Sequence, residues 1–319
     1  MPAAFTPIGT IPLRGPGGEP VDLWRTILSH GVASLPPHRV DEERRTFTAA
    51  LRDGTGTVRV VRVTGEEPAH ASVAIVGPSA DSDAAAVLPP VAHLLRLDAD
   101  LSGFYASLAN DPDLAWAAAG AGRMMRSATL FEDVVKTVCT TNCTWSATER
   151  MVGALVAHLG EPAELVDDDA DVPTRAFPTA ATMAEAPESF YREVAKAGYR
   201  GAYLRSLATS VAEGTLDLDA LLDPDLPTVD VEKRLLALPG VGPYAAAHIL
   251  TLIGRYDRLI LDSWTRPTYR RLTGLETCDD AAIVERFSPY GEHAGLAFWL
   301  YLTRRWVEEP TDDAADPAG

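Results

Sequence analysis

The sequence predicts an α+β protein in which an N-terminal antiparallel sheet precedes an all-helical segment. Three observations carry that prediction. Short alternating runs rich in β-branched residues, bounded by glycine turns, are confined to the stretch before Ala99. From there on, apolar residues recur at helical spacing and the runs end on glycine or proline. The composition, 319 residues with 46% hydrophobic and 23% charged, is that of a globular chain long enough for two or three packed units.

The elements follow in order. The opening "MPAAFTPIGTIPLRGPGGEP" has no basic stretch leading into an apolar block, and no run of about 18 apolar residues occurs anywhere, so neither a signal peptide nor a membrane span is expected. A cytoplasmic location is the resulting expectation. "PVDLWRTILSHG" reads as a helix beneath the sheet. Strands are predicted at Thr46 to Leu51 and Val58 to Val63, around a Gly-rich turn, and at Ala71 to Gly77. "GPSADSDAAAVLPP" reads as a loop or short helix, after which strand signals stop. Beyond it, "LFEDVVKTVCTT" places Phe131, Val134, Val135 and Val138 on one stripe, and "ATERMVGALVAHLG" and "PESFYREVAKAGYR" continue in that style. "VEKRLLALPGVGPYAAAHILTLIG" is two helices joined by a tight glycine turn. The expected units are a sheet domain over residues 1–99, a helical domain over 100–307 with its hairpin at 232–250, and an acidic disordered tail over 308–319.

Cys139, Cys143 and Cys278 are too few for a disulfide framework, a four-thiolate zinc site or an iron–sulfur cluster. Cys139 and Cys143 read as small core residues, and no metal is assigned to side chains. The formal charge of −17 argues against a protein that coats nucleic acid over its whole surface. Charge is unevenly spread, however: between Lys233 and Arg271 seven basic residues face only Asp257 and Asp262.

In the hairpin, Gly240 and Gly242 allow positive φ and close backbone approach, and the second helix begins with outward N–H groups suited to a phosphate. A simple helix corner packed on glycine would use the same residues. The flanking cations Lys233, Arg234, Arg266, Arg270 and Arg271 tilt the reading towards nucleic-acid backbone.

"LPGVGPYAAAHIL" followed by "LILDSWTRPTYRRLTG" resembles the helix-hairpin-helix DNA glycosylase superfamily, whose signature is this hairpin and an aspartate about twenty residues on. Asp262 stands 18 residues after Tyr244. "FEDVVKTVCTTNCTWSATERMVGALVAHLG", "AGYRGAYLRSLA" and "SPYGEHAGLAFWLYLTRRW" extend the likeness over nearly the whole chain, to the 3-methyladenine and 8-oxoguanine branch with its TBP-like sheet domain. That resemblance implies a monomeric base-excision repair enzyme acting on a damaged base in double-stranded DNA. Asp262 would be the carboxylate that steadies the positive charge on the deoxyribose as the glycosidic bond breaks; as a lone feature it reads equally as a helix N-cap. Bifunctional relatives carry a lysine where Tyr244 stands, and a phenol cannot form the Schiff base that lyase chemistry needs. A monofunctional enzyme is therefore expected, with Tyr244, Trp264, Phe298 and Trp299 about the base pocket.

By the same resemblance Asn142 would be the wedge, Tyr199 and Arg200 would reach the opposite base or strand, and Gly240, Val241, Gly242, Arg266 and Arg270 would contact DNA. A monovalent cation, Na+ or K+, on the backbone of Leu238 and Gly240 is implied as well, and no other cofactor. Alkylated purines such as 3-methyladenine suit an aromatic pocket. Removal of mismatched thymine or uracil, removal of 8-oxoguanine, and catalytically silent DNA binding are the alternatives.

Overall fold

The computed structural model describes residues 4–67, 69–164 and 172–307; the acidic run 167–171 and the tail 308–319 lie outside the described residues. Strands β1 (Phe5–Pro12), β2 (His38–Asp41), β3 (Thr46–Arg52), β4 (Val58–Glu67) and β5 (His70–Val76) form one antiparallel sheet in the order β1-β5-β4-β3-β2. Val61 pairs with Ala49 on one side and Ile75 on the other. Period-two alternation is plainest in β5, where Ala71, Val73 and Ile75 are buried.

Helices α1 (Leu23–Ile27) and α2 (Asp83–Leu94) accompany the sheet. Its core joins Phe47, Val61, Val63 and Ile75 to Val87, Val91 and Leu94 of α2. The sequence does not announce a full helix here, yet α2 runs twelve residues with Pro89 and Pro90 inside it. Proline at position 90 cannot donate to the carbonyl of Ala86. Gly54 N–H takes that carbonyl instead at 2.9 Å, so the missing bond is replaced from the β3–β4 turn. Strands β1 and β2 are not announced by the pattern either. Pro7 and Pro12 speak against a strand, but β1 is an edge strand and bulges between Pro7 and Gly9, where proline is tolerated.

The helical part comprises α3 (Ser102–Leu108), α4 (Leu130–Thr140), α5 (Trp145–Leu159), α6 (Ala180–Glu185), α7 (Arg200–Ala212), α8 (Thr228–Leu236), α9 (Pro243–Leu252), α10 (Thr265–Thr273), α11 (Asp280–Phe287) and α12 (Ala294–Thr303). The predicted stripe of α4 is buried, and Thr144 caps α5 by accepting from Ala147 N. "PESFYREVAKAGYR" does not form one helix. A short π-type turn over Phe190–Val194 stops at Lys196 and Gly198, both at positive φ, and α7 starts afresh at Arg200.

These helices form two packed clusters. One gathers α4, α5, α7, α8 and α9 around Val134, Val138, Leu155, Leu204 and Leu250; the other joins α3, α10, α11 and α12 around Phe104, Tyr269, Phe287 and Phe298. Tyr244 packs against both, which sets it on the seam. The N-terminal unit is knit to the far end of the chain, since Trp299 Nε1 donates to Ser29 O at 2.7 Å and Arg25 to Arg304 O at 3.0 Å. No described helix is long and apolar enough to cross a membrane.

Candidate functional site

The seam opens as a cleft of about 810 Å³, walled by the loop Thr140–Thr144, by Tyr199 and Tyr203, by the hairpin, and by Leu261, Asp262 and Ser263. Asp262, Tyr244, Asn142, Tyr199, Gly240 and Gly242 are thus brought together from four separate stretches of chain.

Local rules build each wall. Leu235, Leu238, Val241, Ala245 and Ala246 anchor the hairpin in the first helical core. Val241 is therefore a core side chain and shows the cleft side no more than its backbone. Gly240 sits at φ 81° and closes the turn; Gly242 is extended and exposed as the N-cap of α9, with Pro243 at its first helical position. Of the two glycines, only Gly240 uses positive φ. Asn142 is exposed at φ 47°, in the short loop between α4 and α5.

Asp262 performs the capping role its sequence context suggests. Its Oδ1 accepts from Trp264 N at 2.9 Å and Thr265 N at 2.6 Å, while its own N–H donates to Thr265 Oγ1 at 2.8 Å. Oδ2 has no hydrogen-bond partner among the described residues. The cap fixes the carboxylate on the cleft wall, so capping and presentation to the cleft coexist in one side chain.

Tyr244 is half-buried, and burial pushes its phenol above the ordinary tyrosine range, opposed by a hydrogen bond with Thr140. One helical turn on, His248 is buried with its ring stacked on Tyr244 at 6.0 Å, and the His30 ring stands perpendicular to it at 5.9 Å. Burial holds His30 down at about 3 and His248 at about 4, the Asp262 charge partly opposing the drop in His248. Neither histidine stands out in the sequence, although position 248 shares a helix face with Tyr244. A depressed histidine pKa means that the unfolded chain takes up protons first, so stability present above pH 6.5 is lost as the pH falls towards about 4. His248→Leu should therefore gain on wild type over that interval, by on the order of a few degrees in Tm, in thermal unfolding scans at successive pH values.

Several expectations drawn from the sequence are overturned by the packing. Phe298 does not border the cleft: it is fully buried between Tyr269 and Phe287, because the face of α12 that carries it turns into the second helical core. Trp299, its neighbour, is tied to Ser29 and packs at a tilt against Trp264, the two rings forming a triangle with Trp306 at the second helical core, and neither tryptophan lines the cleft. Trp264 follows Asp262 on the path into this cluster. Arg200 is 6% exposed and donates to the carbonyl and hydroxyl of Thr141, so it braces the Asn142 loop from beneath rather than reaching outward. Tyr199 is the exposed member of that pair, at 55%, with the Arg200 guanidinium 4.6 Å from its ring centre.

The basic tract is also less open than its residue count suggests. Arg266 forks onto Asp280 at 2.7 and 2.9 Å, Arg258 pairs with Glu232, and Arg255 ties the Asp223 and Leu226 carbonyls. Arg270 is exposed, with a long contact to Glu276 O. Tyr203, not singled out by the sequence, packs beside Gly240 and stands edge-on to Tyr199 at 5.9 Å. Its spacing of four residues from Tyr199 is the available signal.

Comparison with known proteins bears on the fold. The chain is 29% identical over 223 residues to the "Probable bifunctional transcriptional activator/DNA repair enzyme AlkA" of Mycobacterium tuberculosis, covering 66% of this chain and 41% of that one. It therefore spans less than half the length of the curated relative it matches. The 3-methyladenine DNA glycosylase of Archaeoglobus fulgidus superposes with a TM-score of 0.70 at 17% identity, over 93% of this chain and 99% of that one. The 8-oxoguanine glycosylase/lyase of Clostridium acetobutylicum, in its apo form, gives 0.67 at 17% identity over 95% and 99%. No family model matches the sequence. The chain has the fold of the helix-hairpin-helix DNA glycosylases and resembles them in sequence.

Proposed function

We propose that this chain is a monofunctional DNA N-glycosylase that extrudes a damaged base, foremost an alkylated purine, from duplex DNA and hydrolyses its bond to the sugar. The observation that carries this reading is the placing of Asp262. A carboxylate with one oxygen held by the cap and the other unengaged faces the same cleft as the hairpin turn and the Asn142 loop. Positive charge growing on a deoxyribose in that cleft would be met by a fixed anion that needs no reorganisation. Water is then the nucleophile, because the cleft wall contributes a phenol and no amine. Lys136 is buried in an ion pair with Glu132, and Lys233 points to Asp230 on the exposed face of α8.

Asn142 would fill the gap left in the duplex, with Tyr199 beside it against the opposite strand. Tyr244, the one aromatic ring that the hairpin sets on the cleft wall, would face the base. Gly240, Gly242 and the exposed Arg270 would meet the DNA backbone. A monovalent cation on the Leu238 and Gly240 carbonyls belongs to the same reading: Leu238 O accepts one hydrogen bond, from Val241 N at 3.2 Å, leaving a lone pair for a ligand.

A panel of duplexes, each carrying one lesion, tests the proposal when scored separately for abasic sites and for strand breaks without alkali. The expected outcome is abasic sites without breaks, and no covalent adduct on borohydride treatment. A trapped adduct would remove the monofunctional reading, and the same panel scores 8-oxoguanine and mismatched thymine or uracil as alternative substrates. Protein that binds every duplex and releases no base would be a DNA-binding module.

A further inference from the structure

A duplex is held largely by cations on its phosphates, and the basic tract around the hairpin offers fewer of them than its residue count suggests. Arg255 is engaged by carbonyls, and Arg258 and Arg266 by carboxylates. The fold assembles another set beside the cleft. Leu261, Asp262 and Ser263 line the cleft, and the next residue, Trp264, lines a second concavity of about 270 Å³. The two walls are joined through the cap, since Trp264 N donates to Asp262 Oδ1 at 2.9 Å. Arg271 reaches this second concavity from α10, and Arg304 and Arg305 reach it from the turn that follows α12.

Charge and shape both suit a phosphodiester. Arg304 and Arg305 are exposed, and neither guanidinium has a partner among the described residues. Adjacent like charges repel, and an anion seated between them relieves the repulsion. Asp113 is the acidic side chain on this wall, and Arg286 already binds it at 2.7 Å. The concavity is therefore cationic in a chain whose formal charge is −17. Trp264 and Trp306, with ring centres 5.6 Å apart, add an apolar surface on which a deoxyribose can lie. We propose that this groove binds the backbone of the DNA strand flanking the lesion, with Arg304 and Arg305 on phosphates and a sugar against Trp306. At about 1.5 Å of rise per residue, Arg271 stands roughly 9 Å beyond the first residue of α10, about three nucleotides along one strand. The contact thus lies outside the lesion, where it adds affinity and register but no chemistry. The inference rests on the glycosylase reading above.

The test is binding of the full chain to duplexes carrying a tetrahydrofuran abasic-site analogue, followed by fluorescence anisotropy from about 50 to about 200 mM salt. Wild type is compared with the double variants Arg304→Gln with Arg305→Gln and Arg304→Lys with Arg305→Lys. One duplex is long on both sides of the analogue, and two others are cut back close to it on one side or the other. In the glutamine variant the slope of log affinity against log salt should fall by about 1.8, two contacts at about 0.9 each. The wild-type advantage on the long duplex should accordingly shrink by roughly tenfold across that salt range. The loss should vanish on the duplex that lacks one particular flank and persist on the duplex that lacks the other. The lysine variant, which keeps the charge, should keep the slope. Single-turnover base release at saturating protein and the unfolding temperature should be those of wild type in both variants. An unchanged slope in the glutamine variant, or a loss of equal size on all three duplexes, overturns the assignment while leaving the glycosylase reading standing. A wild type that releases no damaged base, with slopes that differ as expected, would remove the glycosylase reading and leave the groove a DNA contact.

Discussion

Asp262→Asn is expected to slow single-turnover base release by about three orders of magnitude while binding to lesion-containing duplex is retained. The estimate follows from one anion about 4 Å from a developing cation at an effective dielectric of ~20, roughly 4 kcal/mol. Asparagine is the informative replacement because the carboxylate is also a cap. Its side-chain oxygen can still accept from Trp264 N and Thr265 N, so α10 keeps its start and the cleft wall keeps its shape. Alanine would remove charge and cap together, adding about 1 kcal/mol of destabilisation and obscuring the cause of any loss. Rapid-quench measurement of base release beside a separate binding titration distinguishes the cases. An unchanged release rate refutes the catalytic assignment. A loss of binding equal to the loss of rate would give Asp262 a structural role only.

What can be read in the sequence is whatever is encoded locally. β5 announces itself by alternation and β3 and β4 by short apolar and β-branched runs about a Gly-rich turn, while the hairpin, Tyr244 and Asp262 lie on one continuous stretch at a readable spacing. Residues whose direction depends on a distant partner are the ones that pattern misplaces. Arg200 turns inward because Thr141, at the other side of the cleft loop, offers a carbonyl; Arg266 is neutralised by Asp280 on the next helix; Phe298 is claimed by Tyr269 and Phe287. Nothing in the pattern around an arginine or a phenylalanine shows which long-range group will capture it. The prolines of β1 and α2 mark the same boundary from the other side. A rule that forbids proline holds until the lost hydrogen bond is supplied from elsewhere, as Gly54 does for Ala86, or is not required, as at a sheet edge.

Gly240→Val should weaken duplex binding by at least about tenfold with little change at the proposed chemical step, for two reasons that can be separated. Gly240 is at φ 81°, where an L-residue costs on the order of 1–2 kcal/mol and a β-branched one more. A Cβ there would also lie 2.9 Å from Tyr203 Cδ2 and 3.2 Å from Val138 Cγ1, so the turn must move off α7 and α4 or those side chains must yield. Either response displaces the backbone that the phosphates would meet, and tenfold in affinity corresponds to about 1.4 kcal/mol, within reach of the strain alone. Gly240→Ala with Tyr203→Ala relieves the nearer collision and leaves the backbone strain. If packing against Tyr203 is the larger constraint, the double variant binds better than Gly240→Ala alone; if the left-handed backbone dominates, the two bind alike. Gly242→Ala is the control, because that residue is extended and a Cβ on it would meet no atom within 4 Å. It should fold like wild type, and any affinity it loses at matched salt reports direct crowding of the DNA backbone at the start of α9. Wild-type affinity in Gly240→Val would mean that the duplex does not rest on this turn.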